Sequence, residues 1–357
     1  MEYPFKNLVF EGGGVKGIAY VGVLKILEDY NILGNIERVG GTSAGAIVAM
    51  LVSLGYNSTE LEESLTEMDL KQFMDNDFGV VRDTFRLITD GHGWYKGKKF
   101  MEWIERRIEE KGIDKDVTFK EIQDNPKFKN IYIQGTNLST YRTETFSAED
   151  PKFADMKIKD AVRISMSIPI FFAAVKLNGC FYVDGGLLSN YPVRLFDREE
   201  YVGVEHSEET ELYKKINASL ETEVFIEMNS SSFNYERSFI PGKYVYNKET
   251  LGFRLDSDKE IKIFTGLALP KEHEINTFFD FIWSLVATVM EQQANQQLIG
   301  DDIDRTVFVD TGNVSSINFS ISSDKQKDLI QSGINCCEEY LINYKNPDIN
   351  SRNKIKE

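Results

Sequence analysis

The sequence predicts an α/β fold, a sandwich around a mainly parallel central sheet. Two observations carry this. Within residues 7–54 the chain runs strand, glycine turn, helix, strand, serine turn, helix, an alternation that builds parallel sheets. Further along, Val183 passes directly into Asp184-Gly185-Gly186, a third tight turn at a strand end.

The elements follow in order. Residues 7–10 read as a short buried strand, and 15–30 as a helix with Ile18, Val21, Val23, Leu24 and Leu27 near helical spacing. A second strand ends at Val39-Gly40. Residues 44–54 are almost wholly apolar and so require a buried helix; Gly55 ends it, and Ser58 or Thr59 caps a helix over 60–68. The pattern weakens over 71–90, and 91–97 reads as a loop before a helix at 99–110. Strands are expected at 131–134 and 143–146, then a helix at 157–166 stopped near Pro169. Asn178-Gly179 between apolar runs at 173–177 and 180–183 signals a hairpin. Residues 206–248 are polar and weakly patterned, an insertion whose tip is free to move or to form a lid. Order returns with 251–255, a helix at 276–298, a strand at 306–309 and a helix at 324–344. The expectation is one domain over 1–345, with a motif-bearing core at 5–200, a C-terminal strand and helix at 305–345, and a polar tail at 346–357.

A chain of 357 residues, 41% hydrophobic and 27% charged, has the composition of a globular protein with a sizeable core. Its net charge of −16 opposes a phosphate backbone, which argues against nucleic acid as a partner; a local apolar surface could still bind lipid. Met1-Glu2-Tyr3-Pro4 lacks the basic start of a signal peptide, and the apolar run at 278–290 is interrupted by Asp280 and Ser284 and falls short of the roughly 20 residues needed to span a bilayer. Three cysteines, Cys180, Cys336 and Cys337, are odd in number with two adjacent, which suits a reducing compartment. A cytoplasmic protein is expected. His92, His206 and His273 lie far apart without metal-ligand spacing, so no metal site is expected.

Ser43 in Gly41-Thr42-Ser43-Ala44-Gly45 is a nucleophile candidate, because glycines at both ends permit a sharp turn that lifts the serine to the end of the sheet. Taken alone, the pentapeptide reads equally as a turn with a helix-capping serine. The earlier turn, Gly12-Gly13-Gly14-Val15-Lys16-Gly17, satisfies the spacing of a dinucleotide fingerprint. Position argues against that reading: the ribose-binding acid belongs at the end of the second strand, where Gly40 to Ser43 stand, and Glu11 would place negative charge beside a pyrophosphate. The Gly13 and Gly14 N–H groups read better as oxyanion donors at a helix start, with Lys16 adding positive charge. A merely structural turn stays open. A serine hydroxyl needs a base, and no histidine has a motif-like setting. Asp184 ends an apolar strand before two glycines, so its carboxylate belongs at the same end of the sheet; burial must then raise its basicity. Alone, Asp-Gly-Gly also reads as an ordinary β-turn.

Together the three turns resemble those of the patatin-like phospholipase family, whose members use a serine-aspartate dyad without histidine. Glu11 to Gly17 is similar to its oxyanion motif, with Lys16 where arginine is usual; Gly41 to Gly45 to its nucleophile elbow; and Asp184, Gly185 and Gly186 to its aspartate motif. Residues 161–186 are also similar, with Ser167-Ile168-Pro169 and Phe171-Phe172 ahead of Tyr182-Val183-Asp184. The resemblance is clear over 8–194 and weaker over 250–341, and 206–248 carries no family motif. It implies a three-layer α/β/α sandwich, hydrolysis of acyl esters in lipids by Ser43 and Asp184, and no need for calcium. No cofactor is expected. The family includes triacylglycerol, lysophospholipid and transacylase activities, so the lipid does not follow.

An apolar route to the serine is offered by Phe278, Phe279, Phe281, Ile282, Trp283, Leu285 and Val286, and by Phe73, Met74, Phe78, Val80, Val81 and Phe85, although both groups read more simply as core. Lys96, Lys98 and Lys99 beside Trp94 and Tyr95 suit lipid phosphates or plain solvent. The expectation is a phospholipase A or lysophospholipase acting on membrane phospholipid or another lipid ester, with peripheral membrane contact and an activating protein or oligomer left open. A transacylase on the same dyad and a non-catalytic lipid- or protein-binding module are the alternatives.

Overall fold

The computed structural model describes residues 3–68, 97–169, 171–228, 242–257, 260, 262, 269, 274–297, 300–316, 318, 321–346 and 348. Strands β1 (Asn7–Phe10), β2 (Arg38–Gly41), β3 (Asn130–Asn137), β4 (Arg142–Phe146), β5 (Val175–Leu177), β6 (Cys180–Asp184), β9 (Thr250–Asp256) and β10 (Thr306–Asp310) form an eight-stranded sheet in the order β10-β9-β1-β2-β3-β6-β5, with β4 also on β3. The five strands from β10 to β3 are parallel, while β4 and β6 run antiparallel to β3. The sheet is thus mixed and mostly parallel, and it is flanked by helices.

Side-chain alternation divides the core between the two faces. Leu8, Phe10, Ile131, Ile133, Leu251 and Phe253 join the main cluster with helices α1 (Tyr20–Asp29), α2 (Ala44–Ser53) and α9 (Ser323–Lys345). Val9 and Tyr132 point the other way and pack on Tyr191, Val193 and Phe196. All of α2 is buried, as its apolar sequence requires.

Several expectations are adjusted. The first helix begins as a 3-10 segment, Gly14–Ala19, before α1. Helix α3 (Ser58–Glu67) is capped by Asn57 and not by Ser58 or Thr59: Asn57 Oδ1 accepts the Glu60 N–H and Glu60 Oε2 accepts the Asn57 N–H, each at 2.9 Å, while Ser58 bonds Glu28. Helices α4 (Lys98–Glu109) and α6 (Ile158–Ser165) lie where expected, and the structure adds a short helix, α5 (Phe119–Gln123). The hairpin between β5 and β6 turns at Asn178 (φ 50°) and Gly179 (φ 82°), the two positive values of a type I′ turn.

Of segment 206–248 the structure describes 206–228 and 242–248, which contain α7 (Glu211–Met228) and a small ladder of β7 (Ser207–Glu208) with β8 (Tyr246–Asn247). Both ends of the segment are tied to the core through fully buried Arg305, which pairs with Asp197 at 2.5 Å and Asp302 at 2.7 Å. Tyr213 bonds Asp197, and Asn247 Nδ2 donates to the Phe196 carbonyl. Helix α8 (Phe278–Gln297) covers the expected span. The apolar group from Phe73 to Phe85, with His92, Trp94, Tyr95, Lys96 and His273, lies outside the described residues, as do the side chains of Phe278, Phe279 and Trp283.

Candidate active site

Strand β2 ends at Gly41, and α2 begins three residues later at Ala44. Ser43 makes the turn between them with φ 54° and ψ −124°, a backbone that costs a non-glycine residue about 1–3 kcal/mol. The flanking glycines are sterically required: a Cβ on Gly45 would stand 2.3 Å from the Phe10 carbonyl oxygen, and one on Gly41 2.3 Å from that of Gly45. Thr42 Oγ1 donates to the Ser189 carbonyl at 2.8 Å, joining this elbow to the chain beyond Asp184.

Register brings the aspartate to the serine. Ile133 pairs with Gly41 and with Phe146, so β2 and β4 lie on opposite edges of β3. Gly135 pairs with Glu144 of β4 and with Asp184 of β6, which puts β6 on the edge of β2, directly beyond its end. The two strands therefore point at each other, and Ser43 and Asp184 occupy the gap.

Both residues are buried, at 4% and 1% exposure. Burial pushes the Asp184 carboxyl up to about 7, opposed by the Gly186 N–H, which donates to Oδ1 at 2.7 Å, and by the adjacent Ser43 hydroxyl. Asp184 Oδ2 has no hydrogen-bond partner among the described residues. Ser43 Oγ also donates to Met166 Sδ at 3.8 Å, a weak acceptor.

The glycine turn crosses in front of the elbow, with Gly12 against Ser43 Cβ. Its N–H groups are unequally engaged. Those of Gly12, Val15 and Lys16 donate to the carbonyls of Asn190, Ser316 and Gly13, whereas those of Gly13 and Gly14 have no partner among the described residues. As donors, then, Gly12, Val15 and Lys16 are already committed. The Lys16 ammonium also departs from expectation: it is buried against the Leu255 carbonyl at 3.4 Å and Glu260 at 3.5 Å, because the 3-10 turn directs its side chain toward β9. Glu11 faces inward, where Oε2 accepts the Leu255 N–H at 2.7 Å and burial pushes its carboxyl up.

His206 is far from this chemistry. It pairs with Glu249, whose carbonyl bonds the start of β1, at the opposite end of the parallel strands from Ser43.

A family model described as Patatin-like phospholipase matches residues 8–197, just over half of the chain. The chain belongs to the patatin-like phospholipase family. It is 28% identical over 344 residues to uncharacterized protein R571 of Acanthamoeba polyphaga mimivirus, covering 96% of this chain and 95% of that one. It is 29% identical to probable lipid hydrolase 463L of Invertebrate iridescent virus 6, over 53% of this chain and 62% of that one. Among solved structures it is similar in fold to VipD from Legionella pneumophila, with a TM-score of 0.53 at 14% identity, over 95% of this chain and 67% of that chain.

Within the patatin-like frame, sequence reading singles out neither Ser165 and Met166 nor Asn190. Asn190 Nδ2 donates to Glu11 Oε1 at 3.3 Å and to the Gly12 carbonyl at 3.1 Å, bracing the glycine turn. The only signal for Ser165 and Met166 is the patatin-like similarity of residues 161–186. Beside Ala44 and Gly14 a cavity of about 210 Å³ opens, its lining including Val15, Ile47, Val48 and Leu65 together with Thr66 and Gln326.

Proposed function

We propose that this patatin-like chain is a lipid acyl hydrolase of phospholipase A or lysophospholipase type, working through an acyl-serine intermediate on a Ser43–Asp184 dyad. The observation that carries the reading is the buried Asp184 Oδ2 beside Ser43, without a hydrogen-bond partner among the described residues, with its carboxyl raised to about 7. When the Ser43 hydroxyl turns from Met166 to Asp184, Oδ2 takes its proton as Oγ bonds the ester carbonyl carbon. The resulting oxyanion accepts the Gly13 and Gly14 N–H groups. The carbon–alkoxy bond breaks, and Asp184 returns the proton to the leaving alcohol. Water then attacks the acyl-serine, Asp184 takes its proton, and the acid leaves as Ser43 Oγ is reprotonated. Every proton passes through Asp184, so the scheme needs no metal ion.

Two features support a lipid substrate. The cavity beside Ala44, whose mixed lining includes Val15, Ile47, Val48 and Leu65 with Thr66 and Gln326, offers room for an acyl chain whose carbonyl lies at the glycine turn. Helix α8 places Met290 close enough to the aspartate turn that a Cβ on Gly186 would stand 3.0 Å from its methyl, and its outer side exposes Phe281, Leu285 and Val289. These spacings of four residues make one apolar stripe, suited to peripheral contact with a bilayer. Among the described residues no helix is long and apolar enough to cross a membrane.

A fluorophosphonate probe tests the reading. Wild type should be labelled and should hydrolyse a lysophospholipid, and Ser43→Ala should do neither. Persistent labelling of the variant would overturn the assignment.

A further inference from the structure

Three consecutive residues at the end of α6 touch both Ser43 and Asp184. Ser165 Oγ accepts the Ser43 N–H at 2.9 Å. Met166 Sδ receives the Ser43 hydroxyl, and the Ser167 carbonyl accepts the Asp184 N–H at 3.0 Å. Ser165 and Ser167 are fully buried. The segment is itself held from behind, since Ser167 Oγ donates to the Arg163 carbonyl at 2.9 Å and accepts Arg163 Nη1 at 2.6 Å.

We propose that Ser165 is a positioning residue, and that residues 165–167 set the spacing and orientation of the serine-aspartate pair. The inference rests on the dyad reading above and assigns a role to the Ser167-Ile168-Pro169 region, which that reading leaves without one.

A non-glycine residue held, like Ser43, at φ 54° and ψ −124° relaxes unless its surroundings over-determine it. Ser43 also precedes the first helical residue of α2, so no carbonyl of an earlier turn of that helix is available to its N–H. Ser165 supplies the acceptor from a different element. Without it a buried donor is orphaned, and the elbow gains reason to rotate. Rotation at φ swings Cβ and Oγ relative to Asp184, whose own backbone is fixed by Ser167 two residues along the same segment. One short, buried span thus references both reacting groups to a common frame.

Met166 completes the arrangement. Its thioether accepts the resting hydroxyl only weakly, so transfer of that hydrogen bond to Asp184 Oδ2 loses little. Ser165 reaches the reaction only through the Ser43 backbone, so its loss acts on the rate of bond formation and leaves substrate affinity alone.

The test compares Ser165→Ala and Ser165→Cys with wild type and Ser43→Ala. Each is assayed for kcat and KM on a soluble short-chain ester, for its rate of labelling by a fluorophosphonate, and for thermal unfolding. Cysteine keeps an atom at the γ position, somewhat larger than oxygen, but is a poor acceptor, so it leaves no void where alanine does and the pair of variants separates the hydrogen bond from packing. In both Ser165 variants kcat should fall about ten- to a hundred-fold, with KM within about two-fold and labelling slowed in parallel. Equal kcat in folded variants, a loss confined to KM, or a drop in Tm without loss of kcat overturns the positioning role. If wild type itself resists the probe and leaves the ester intact, the dyad reading fails and takes this inference with it. If wild type reacts and Ser165→Ala reacts equally fast, only the positioning role is lost.

Discussion

Asp184 ends its strand two residues along β3 from Gly41, on the same edge and running the opposite way. At about 3.3 Å per residue the two strand ends stand about 7 Å apart along the strand direction, room for one side chain from each. An antiparallel strand continuing the line of a parallel one delivers both groups to one point without any long loop.

The first prediction concerns pH. Asp184 accepts a proton only when ionised, and its carboxyl is raised to about 7. On a soluble ester kcat/KM should therefore rise about tenfold per pH unit below 7 and level off above it. Asp184→Asn should lose at least about a hundred-fold in kcat. The same shift predicts a stability gain. A carboxyl raised from 3.8 to about 7 on folding contributes its stability below pH 4 and loses it as pH rises to 7. At about 1.4 kcal/mol per unit the loss amounts to about 4 kcal/mol, all of it in place above pH 7. Asn has no such loss, so denaturant unfolding should show the variant gaining on wild type between pH 4 and 7 and holding that gain at pH 8.

The second concerns the glycine turn. Gly14 has φ 55°, and a Cβ there would stand 2.1 Å from the Ser316 carbonyl oxygen. Gly14→Ala must move the turn that carries both unpartnered N–H groups. Turnover of a soluble ester should fall about a hundred- to a thousand-fold, with a stability loss of about 1–3 kcal/mol. Near-wild-type kcat would remove this turn from the chemistry.

The third concerns the surface of α8, where Phe281, Leu285 and Val289 are 48%, 50% and 40% exposed. Residues 274–297 hold Glu274, Asp280 and Glu291 but no lysine or arginine. Replacing the three apolar residues by serine should cut sedimentation with phosphatidylcholine vesicles about tenfold or more and leave soluble-ester turnover unchanged. Adding anionic lipid should weaken wild-type binding, because the chain carries a net charge of −16. Vesicle binding indifferent to the three substitutions would place the lipid contact elsewhere.

Much of the fold was legible where burial imposes an apolar run. Strand β1 and helix α2 show it most clearly, being wholly buried and largely apolar. Helix α7 and the anchoring of segment 206–248 were not legible, since a buried Asp197–Arg305–Asp302 cluster looks in sequence like surface charge. Ser43, Asp184 and the glycines announced themselves because tight turns constrain residue type locally. Ser165 and Asn190 did not. Each acts through a side-chain bond to a partner more than a hundred residues away, Ser43 in one case and Gly12 in the other.

The sequence by itself determined the turns: where the chain must bend sharply, glycine and the residue types beside it leave little choice. Tertiary structure alone decided how those turns meet. Register on β3 aimed β6 at β2, the Asn190 and Ser316 carbonyls took the Gly12 and Val15 N–H groups and left those of Gly13 and Gly14 without a partner among the described residues, and the buried side chain of Lys16 turned away to Glu260. The physical reason is range. Backbone strain acts within a few residues, whereas hydrogen-bond satisfaction in a buried site depends on whatever the fold brings near.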